Sequence, residues 1–194
     1  LLADTHEEFT RRTGHYILER YGMTETNMIT SNPYNGERRP GTVGKPLPDV
    51  EIQINDSQTG RENAHGEIGI IEVRGPNVFK GYWNMPDKTA LELKENGFFI
   101  TGDLGKLSSD GYLSIVGREK DLIITGGYNV YPKEIEDVLN EIEKIDETAV
   151  FGISDSDFGE RVVAAVVMAD NESFDKSETE IFVNDKLARY KQPK

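Results

Sequence analysis

Residues 111–136 read GYLSIVGREKDLIITGGYNVYPKEIE, and the character of the chain changes within this stretch. Leu122 to Ile124 is a short apolar run typical of a buried strand, and Pro132 stands where a helix begins. Sequence upstream of the stretch has mainly strand patterns, whereas sequence downstream mixes strand and helix patterns. We therefore predict two domains, covering residues 1–116 and 117–194.

The first of these domains is predicted to be β-rich. Val50, Ile52 and Ile54 alternate with polar residues, which is the period of a half-buried strand. Asp110-Gly111 between two apolar runs indicates a hairpin turn. A capping-box spacing, Thr5 to Glu8, predicts a short helix that ends before Gly14. The predicted strands are 16–20, which leads into a loop at Tyr21-Gly22, then 50–55, 67–74, 104–107 and 112–116.

The second domain is predicted to contain a strand, a helix, two strands and a helix. Ile135, Val138, Leu139 and Ile142 have helical spacing after Pro132. Two continuous apolar runs then suggest buried strands at 148–153 and 162–168. A second capping-box spacing, Ser177 to Glu180, opens the last helix, whose apolar face carries Val183, Leu187 and Tyr190.

Composition narrows the class of protein. The 194 residues are 36% hydrophobic and 29% charged, as in globular proteins, and no apolar run approaches the roughly 20 residues of a membrane span. A net charge of −13 without a basic cluster argues against a nucleic-acid partner. The chain has no cysteine and no secretory leader, so we expect a cytoplasmic or other reducing intracellular location. Because it begins at Leu1, we also expect it to come from inside a longer reading frame.

Three short motifs contain residues suited to nucleotide chemistry. In Tyr21-Gly22-Met23-Thr24-Glu25, a glycine allows close backbone approach, a hydroxyl can donate to phosphate and a carboxylate can hold Mg²⁺. The alternative is an ordinary β-turn with a polar exit.

The second motif is Thr101-Gly102-Asp103, whose aspartate could accept from both hydroxyls of a ribose, or could simply cap its own turn. The third is Gly117-Arg118-Glu119-Lys120-Asp121, followed by Gly126-Gly127. It suits a movable joint and a ligand-contacting loop, or else a solvated charge run and a plain turn.

The order and spacing of these motifs resemble the AMP-forming acyl-CoA synthetases of the adenylate-forming superfamily. YGMTE, GEIGIIEVRGPNVFKGYWN, GFFITGDLG and GYLSIVGREKDLIITGGYNVYPKEIE follow one another as they do in that family. The resemblance runs from about residue 1 to 194. It implies an α+β fold: the β-rich, distorted barrel-like end of a large N-terminal domain, then a small mobile α+β C-terminal domain, both incomplete.

The resemblance also implies the reaction and the residues that serve it. Such enzymes activate a carboxylate with ATP and Mg²⁺ to acyl-AMP and pyrophosphate, and coenzyme A then displaces AMP. Glu25 is implied to ligate Mg²⁺ and Thr24 to contact phosphate. Lys120 is implied to be the hinge between two catalytic states, and Gly126 and Gly127 to meet the arm of CoA. The implied nucleotide-binding residues are Tyr21, Gly22, Thr24, Asp103 and Arg118.

The phosphate-binding loop and the catalytic lysine of the family pattern lie outside this chain. We therefore expect the chain to be inactive alone. The strings at residues 19–34, 37–44 and 75–83 look most like malonyl-CoA synthetases. Arg38 or Arg39 could pair the second carboxylate of malonate, although a charged surface loop explains them equally well. The alternatives are a short- or medium-chain acyl-CoA ligase and a non-catalytic nucleotide-binding or interaction module.

Overall fold

A computed structural model describes residues 3–194 and divides the chain into two compact units, Leu1–Val116 and Gly117–Lys194. Both combine helices with antiparallel sheets, so the predicted α+β class is confirmed. Among the described residues the three sheets stay open and none closes into a barrel. No helix in this part of the chain is long and apolar enough to cross a membrane.

The first unit is built mainly from two antiparallel sheets. One has the strand order β1-β2-β3 and the other β4-β5-β6-β7. Its core contains Ile29, Ile71, Val73 and Leu113, all without exposed surface. The elements are α1 (Ala3–Thr13), β1 (Arg20–Met23), β2 (Asn27–Ser31), β3 (Lys45–Pro46), β4 (Glu51–Asn55), β5 (Gly69–Arg74), α2 (Pro86–Glu92), β6 (Phe99–Leu107) and β7 (Leu113–Arg118).

The second unit has one antiparallel sheet, in the order β10-β11-β8-β9, with two helices. Its own core is formed by residues from both helices and all four strands, including Ile123, Val130, Ile135, Val150, Val162 and Val183. The elements are a 3-10 turn (Glu119–Asp121), β8 (Ile123–Thr125), β9 (Tyr128–Val130), α3 (Pro132–Leu139), β10 (Ile145–Asp155), β11 (Gly159–Met168), α4 (Lys176–Lys186) and a second 3-10 turn (Arg189–Lys191).

Both predicted capping boxes are wrong, although the two helices that they predicted are present. Thr5 lies inside α1, which already begins at Ala3. The N-cap of α4 is Asp175, whose carboxylate accepts the backbone N–H of Glu178 at 3.0 Å. An aspartate is at least as good a cap as a serine, and it lies two residues before the predicted Ser177.

Two further differences concern the first unit. The first strand is β1, which contains Tyr21 and Gly22, so these residues lie in a strand and not in the predicted loop after it. The short helix α2, with Pro86 at its first position, has no apolar periodicity and no buried residue. A helix without a buried face gives no pattern to detect.

Candidate nucleotide-binding site

Two of the predicted site residues meet in the interior of the first unit. Tyr21 comes from β1 and Asp103 from β6, and the tyrosine hydroxyl donates to Oδ2 of the aspartate at 2.6 Å. The two residues are 82 positions apart, and both are more than nine-tenths buried. The contact therefore joins the first sequence motif to the second.

The turn after β1 carries Thr24 and Glu25, the last two residues of the first motif. Thr24 is exposed and Glu25 is half-buried, so both side chains are accessible at the surface of the unit. Gly22 lies at an irregularity in the pairing of β1 with β2. A Cβ on Gly22 would lie 2.2 Å from the carbonyl oxygen of Asn27, so only glycine allows the two strands to approach this closely.

A loop at residues 75–82 fastens this turn. The side-chain amide of Asn77 donates to the carbonyl oxygens of Thr26 and Met28, at 2.8 and 3.2 Å. The backbone N–H of Phe79 donates to the carbonyl oxygen of Glu25 at 2.8 Å. Since three hydrogen bonds end on this short segment, the turn is held in a fixed conformation.

The side chain of Glu25 faces Tyr82 of the same loop. The Tyr82 hydroxyl lies 3.1 Å from Oε1 of Glu25 and 2.6 Å from Oε2 of Glu92. Burial, and then hydrogen bonding to Glu92 and Glu25, raises the pKa of the Tyr82 phenol well above its usual value. Tyr82 is thus a neutral donor shared by two carboxylates.

Sequence reasoning did not assign roles to Asn77, Tyr82 or Glu92. Asn77 and Tyr82 belong to residues 75–83, which contribute to the resemblance to the family and to malonyl-CoA synthetases but indicate no role for either residue. Glu92 ends α2, the helix that has no sequence pattern. The available indication was that the string at 75–83 mixes glycines, an amide and aromatics in a way that no strand period requires.

The remaining predicted site residues belong to the second unit, which begins at Gly117. Arg118 is the last residue of β7. Arg118 and Lys120 are both exposed, and Lys120 lies in the 3-10 turn Glu119–Asp121. Gly126 and Gly127 form the exposed turn between β8 and β9, with φ of +56° and +82°. These left-handed values favour glycine, and a Cβ on Gly127 would meet nothing within 4 Å.

Arg38 and Arg39 are both engaged by groups of the protein. The guanidinium of Arg38 donates to the carbonyl oxygens of Tyr16 and Tyr34, at 2.5 and 3.0 Å. Arg39 donates to both carboxylate oxygens of Asp110, and this contact holds the pKa of Asp110 well below its usual value. The surface-loop explanation therefore accounts for both arginines.

The described residues contain no group of three or more His, Asp or Glu side chains that could hold a metal ion. Glu25 is a single carboxylate on an accessible turn. This arrangement suits Mg²⁺ held by one carboxylate together with the phosphates of a nucleotide, which is a common mode for this ion, but it does not suit a metal enclosed by protein groups alone.

Comparison with known proteins identifies the protein family. The family model described as AMP-binding enzyme matches residues 1–83, and the AMP-binding enzyme C-terminal domain matches residues 134–194. Together these two matches cover most of the chain, which therefore belongs to the AMP-binding enzyme family.

Several of the relatives that the chain resembles are described as CoA ligases. A long-chain-fatty-acid–CoA ligase of Bacillus subtilis is 41% identical over all of this chain and 35% of its own length. A malonate–CoA ligase of Arabidopsis thaliana is 42% identical over 93% of this chain and 31% of its own length. Among solved structures, ATP-bound MatB from Rhodopseudomonas palustris is 55% identical with a TM-score of 0.97, covering all of this chain and 39% of MatB. The chain thus spans about a third of the length of the curated relatives that it matches.

Proposed function

We propose that the protein carrying this chain is an AMP-forming acyl-CoA synthetase that activates malonate. ATP and the carboxylate would form malonyl-AMP and pyrophosphate, and the thiol of coenzyme A would then displace AMP to give malonyl-CoA. In this proposal the chain contributes part of the nucleotide site and the loop that meets CoA.

The contact between Tyr21 and Asp103 carries the proposal. It supports a shared role for two motifs that are far apart in sequence. An ionised carboxylate can accept several hydrogen bonds at once, which suits Asp103 to hydroxyl donors. Asp103 would accept the ribose hydroxyls, while the Tyr21 ring would lie beside the adenine.

The accessible turn after β1 would serve the phosphates. Thr24 would donate its hydroxyl to a phosphate oxygen, and Glu25 would hold Mg²⁺. When bound, this ion neutralises charge on the phosphates and so helps pyrophosphate to leave. The hydrogen bonds from the loop at 75–82 support the proposal because they fix the backbone from which both side chains extend.

The second unit would serve the thioester step. Gly126 and Gly127 have no side chains to block the approach of a long, thin ligand, and both residues are exposed. Arg118 would contact the ribose, and Lys120 would be the hinge between adenylation and thioester formation. The exposure of Lys120 in a short 3-10 turn supports this role.

The choice of malonate rests on the resemblance of residues 19–34, 37–44 and 75–83 to malonyl-CoA synthetases, and on the similarity to the Arabidopsis malonate–CoA ligase. Since Arg38 and Arg39 are engaged by groups of the protein, the proposal assigns the second carboxylate to another cation of the full-length protein. A second candidate is a ligase for monocarboxylates, supported by the nearly equal identity to the long-chain enzyme of Bacillus subtilis.

Pyrophosphate release by the full-length protein tests the proposal. The protein is supplied with ATP, Mg²⁺ and CoA together with malonate, methylmalonate, acetate, hexanoate, benzoate or a long-chain fatty acid. Release that depends on malonate supports the proposed substrate. Release with monocarboxylates alone supports the second candidate, and no release with any acid contradicts the proposed reaction.

Asp103→Ala provides the residue-level test in the same assay. The ribose would lose the acceptor for two hydroxyls, so the KM for ATP should rise strongly. An unchanged KM for ATP would remove Asp103 from the nucleotide site.

A further inference from the structure

Tyr82 lies between two carboxylates and has one proton to donate. Its oxygen is 3.1 Å from Oε1 of Glu25 and 2.6 Å from Oε2 of Glu92. The shorter distance is that of a strong hydrogen bond to a charged acceptor, and the longer one is near the outer end of the usual range. The phenol proton is therefore shared between the two carboxylates, and both contacts fix the position of the hydroxyl.

The position of Tyr82 is fixed by the short helix α2. Its backbone N–H donates to the Thr89 hydroxyl at 2.9 Å, and its own hydroxyl is engaged by Glu92 one turn further along. Lys88 lies 4.0 Å from the centre of the tyrosine ring and 3.9 Å from Oε1 of Glu92. Helix α2 thus holds the tyrosine at both ends.

The aromatic ring is also packed on its other side. Phe79 meets Tyr82 edge to face, with ring centroids 4.8 Å apart, and meets Phe99 of β6 at 5.3 Å. This chain of rings connects Tyr82 to the interior of the first unit, where Phe99 is almost fully buried. The Tyr82 hydroxyl consequently has little freedom to follow movements of the Glu25 side chain.

We propose that Tyr82 is a positioning residue that holds the Glu25 carboxylate in the orientation that receives Mg²⁺. Glu92 assists by fixing the Tyr82 hydroxyl beside Oε1 of Glu25, so that the second oxygen of Glu25 is left to the cation. This inference rests on the proposed function, since it assigns Glu25 to Mg²⁺. Groups that orient a metal ligand commonly change metal affinity by about 10-fold or more when they are removed.

The test measures Mg²⁺ binding and Mg²⁺ dependence in the full-length protein. Tyr82→Phe keeps the ring against Phe79 and removes only the hydroxyl. Isothermal titration of Mg²⁺ into protein with a non-hydrolysable ATP analogue should show about 10-fold weaker binding. In pyrophosphate release, the Mg²⁺ concentration at half-maximal rate should rise by a similar factor, and the rate should recover at saturating Mg²⁺. A variant that had only lost structure would not be rescued by the cation.

Tyr112→Phe is the matched control, because it removes a buried tyrosine hydroxyl that donates to the backbone carbonyl of Glu37 at 2.9 Å. This variant should bind Mg²⁺ as the parent protein does. Parent-like Mg²⁺ binding by Tyr82→Phe, or an equal loss in both variants, overturns the positioning role. If the parent protein itself shows no Mg²⁺-dependent nucleotide binding, the proposed function fails first.

Glu92→Gln gives an independent check that leaves Tyr82 intact, should Tyr82→Phe fail to fold. Without the charged acceptor, the contact that fixes the Tyr82 hydroxyl is weaker, and the hydroxyl holds Glu25 less firmly. Mg²⁺ binding should therefore weaken by several-fold. Unchanged binding in this variant contradicts the role given to Glu92 and to the shared proton.

Discussion

Tyr21→Phe should destabilise the first unit selectively, because it removes the hydroxyl that meets Asp103. The hydrogen bond is 2.6 Å long, its acceptor is a carboxylate, and both partners are buried. A hydrogen bond to a charged group contributes about 1.5–3 kcal/mol, and a buried acceptor that loses a donor is left with its desolvation cost. We expect a loss of about 2 kcal/mol, roughly a 30-fold change in the ratio of folded to unfolded protein.

Hydrogen exchange measured by mass spectrometry reports this change by region. Where exchange follows the opening equilibrium, peptides from β1 and β6 should exchange roughly 30-fold faster. This applies to the amides that open only when the whole first unit unfolds. Peptides from β10 and β11 provide an internal reference, since they belong to the core of the second unit. Their exchange should not change.

Tyr112→Phe calibrates the magnitude. It removes a hydrogen bond to a neutral backbone carbonyl, for which about 1 kcal/mol is expected. If Tyr21→Phe accelerates exchange no more than Tyr112→Phe does, the contact with Asp103 has no special energetic weight and the reasoning is refuted.

Three further predictions concern an ion pair, a surface carboxylate and the proposed hinge. Lys94→Met removes the ammonium group that lies 2.5 Å from the buried Glu72 carboxylate, and should lower the free energy of unfolding in urea by about 3 kcal/mol. Adding Glu72→Gln should recover much of this loss. No recovery would contradict the ion-pair explanation. The contact with Arg39 lowers the pKa of Asp110, so this carboxylate contributes stability above its ordinary pKa of about 4 that is lost as the pH falls. In Arg39→Ala the pKa of Asp110 should rise in an NMR titration of the carboxyl carbon, and an unshifted titration would rule out the guanidinium as the cause. Lys120→Pro should slow thioester formation and spare adenylation in single-turnover assays, whereas equal losses would contradict the hinge role.

The sequence predicted elements best where one face of the element is buried. Residues 50–55 alternate regularly and form β4, and Pro132 begins α3 as expected. The helix α2 was missed because none of its residues is buried, and its contribution is to hold Tyr82 through two polar side chains. Local pattern carries no information about such long-range polar contacts.

The sequence motifs propose a set of site residues but do not predict how these residues are arranged. Tyr21, Glu25 and Asp103 followed from the motifs, yet their hydrogen-bond partners did not, because those contacts span 57 residues for Tyr82 and Glu25 and 82 for Tyr21 and Asp103. Which carboxylate meets which tyrosine depends on how strands and loops pack. Such packing depends on the complete fold and is not indicated by any single segment of the sequence.

The close approach at Gly22 also limits how this protein can evolve. Every single-nucleotide missense change in a glycine codon introduces a residue with a Cβ, and at this position that atom would lie 2.2 Å from the Asn27 carbonyl oxygen. Relief would require β1 and β2 to move apart at the turn that bears Thr24 and Glu25. Genetic drift at this codon should therefore be strongly restricted, even though the exposed position and the missing side chain suggest a tolerant site.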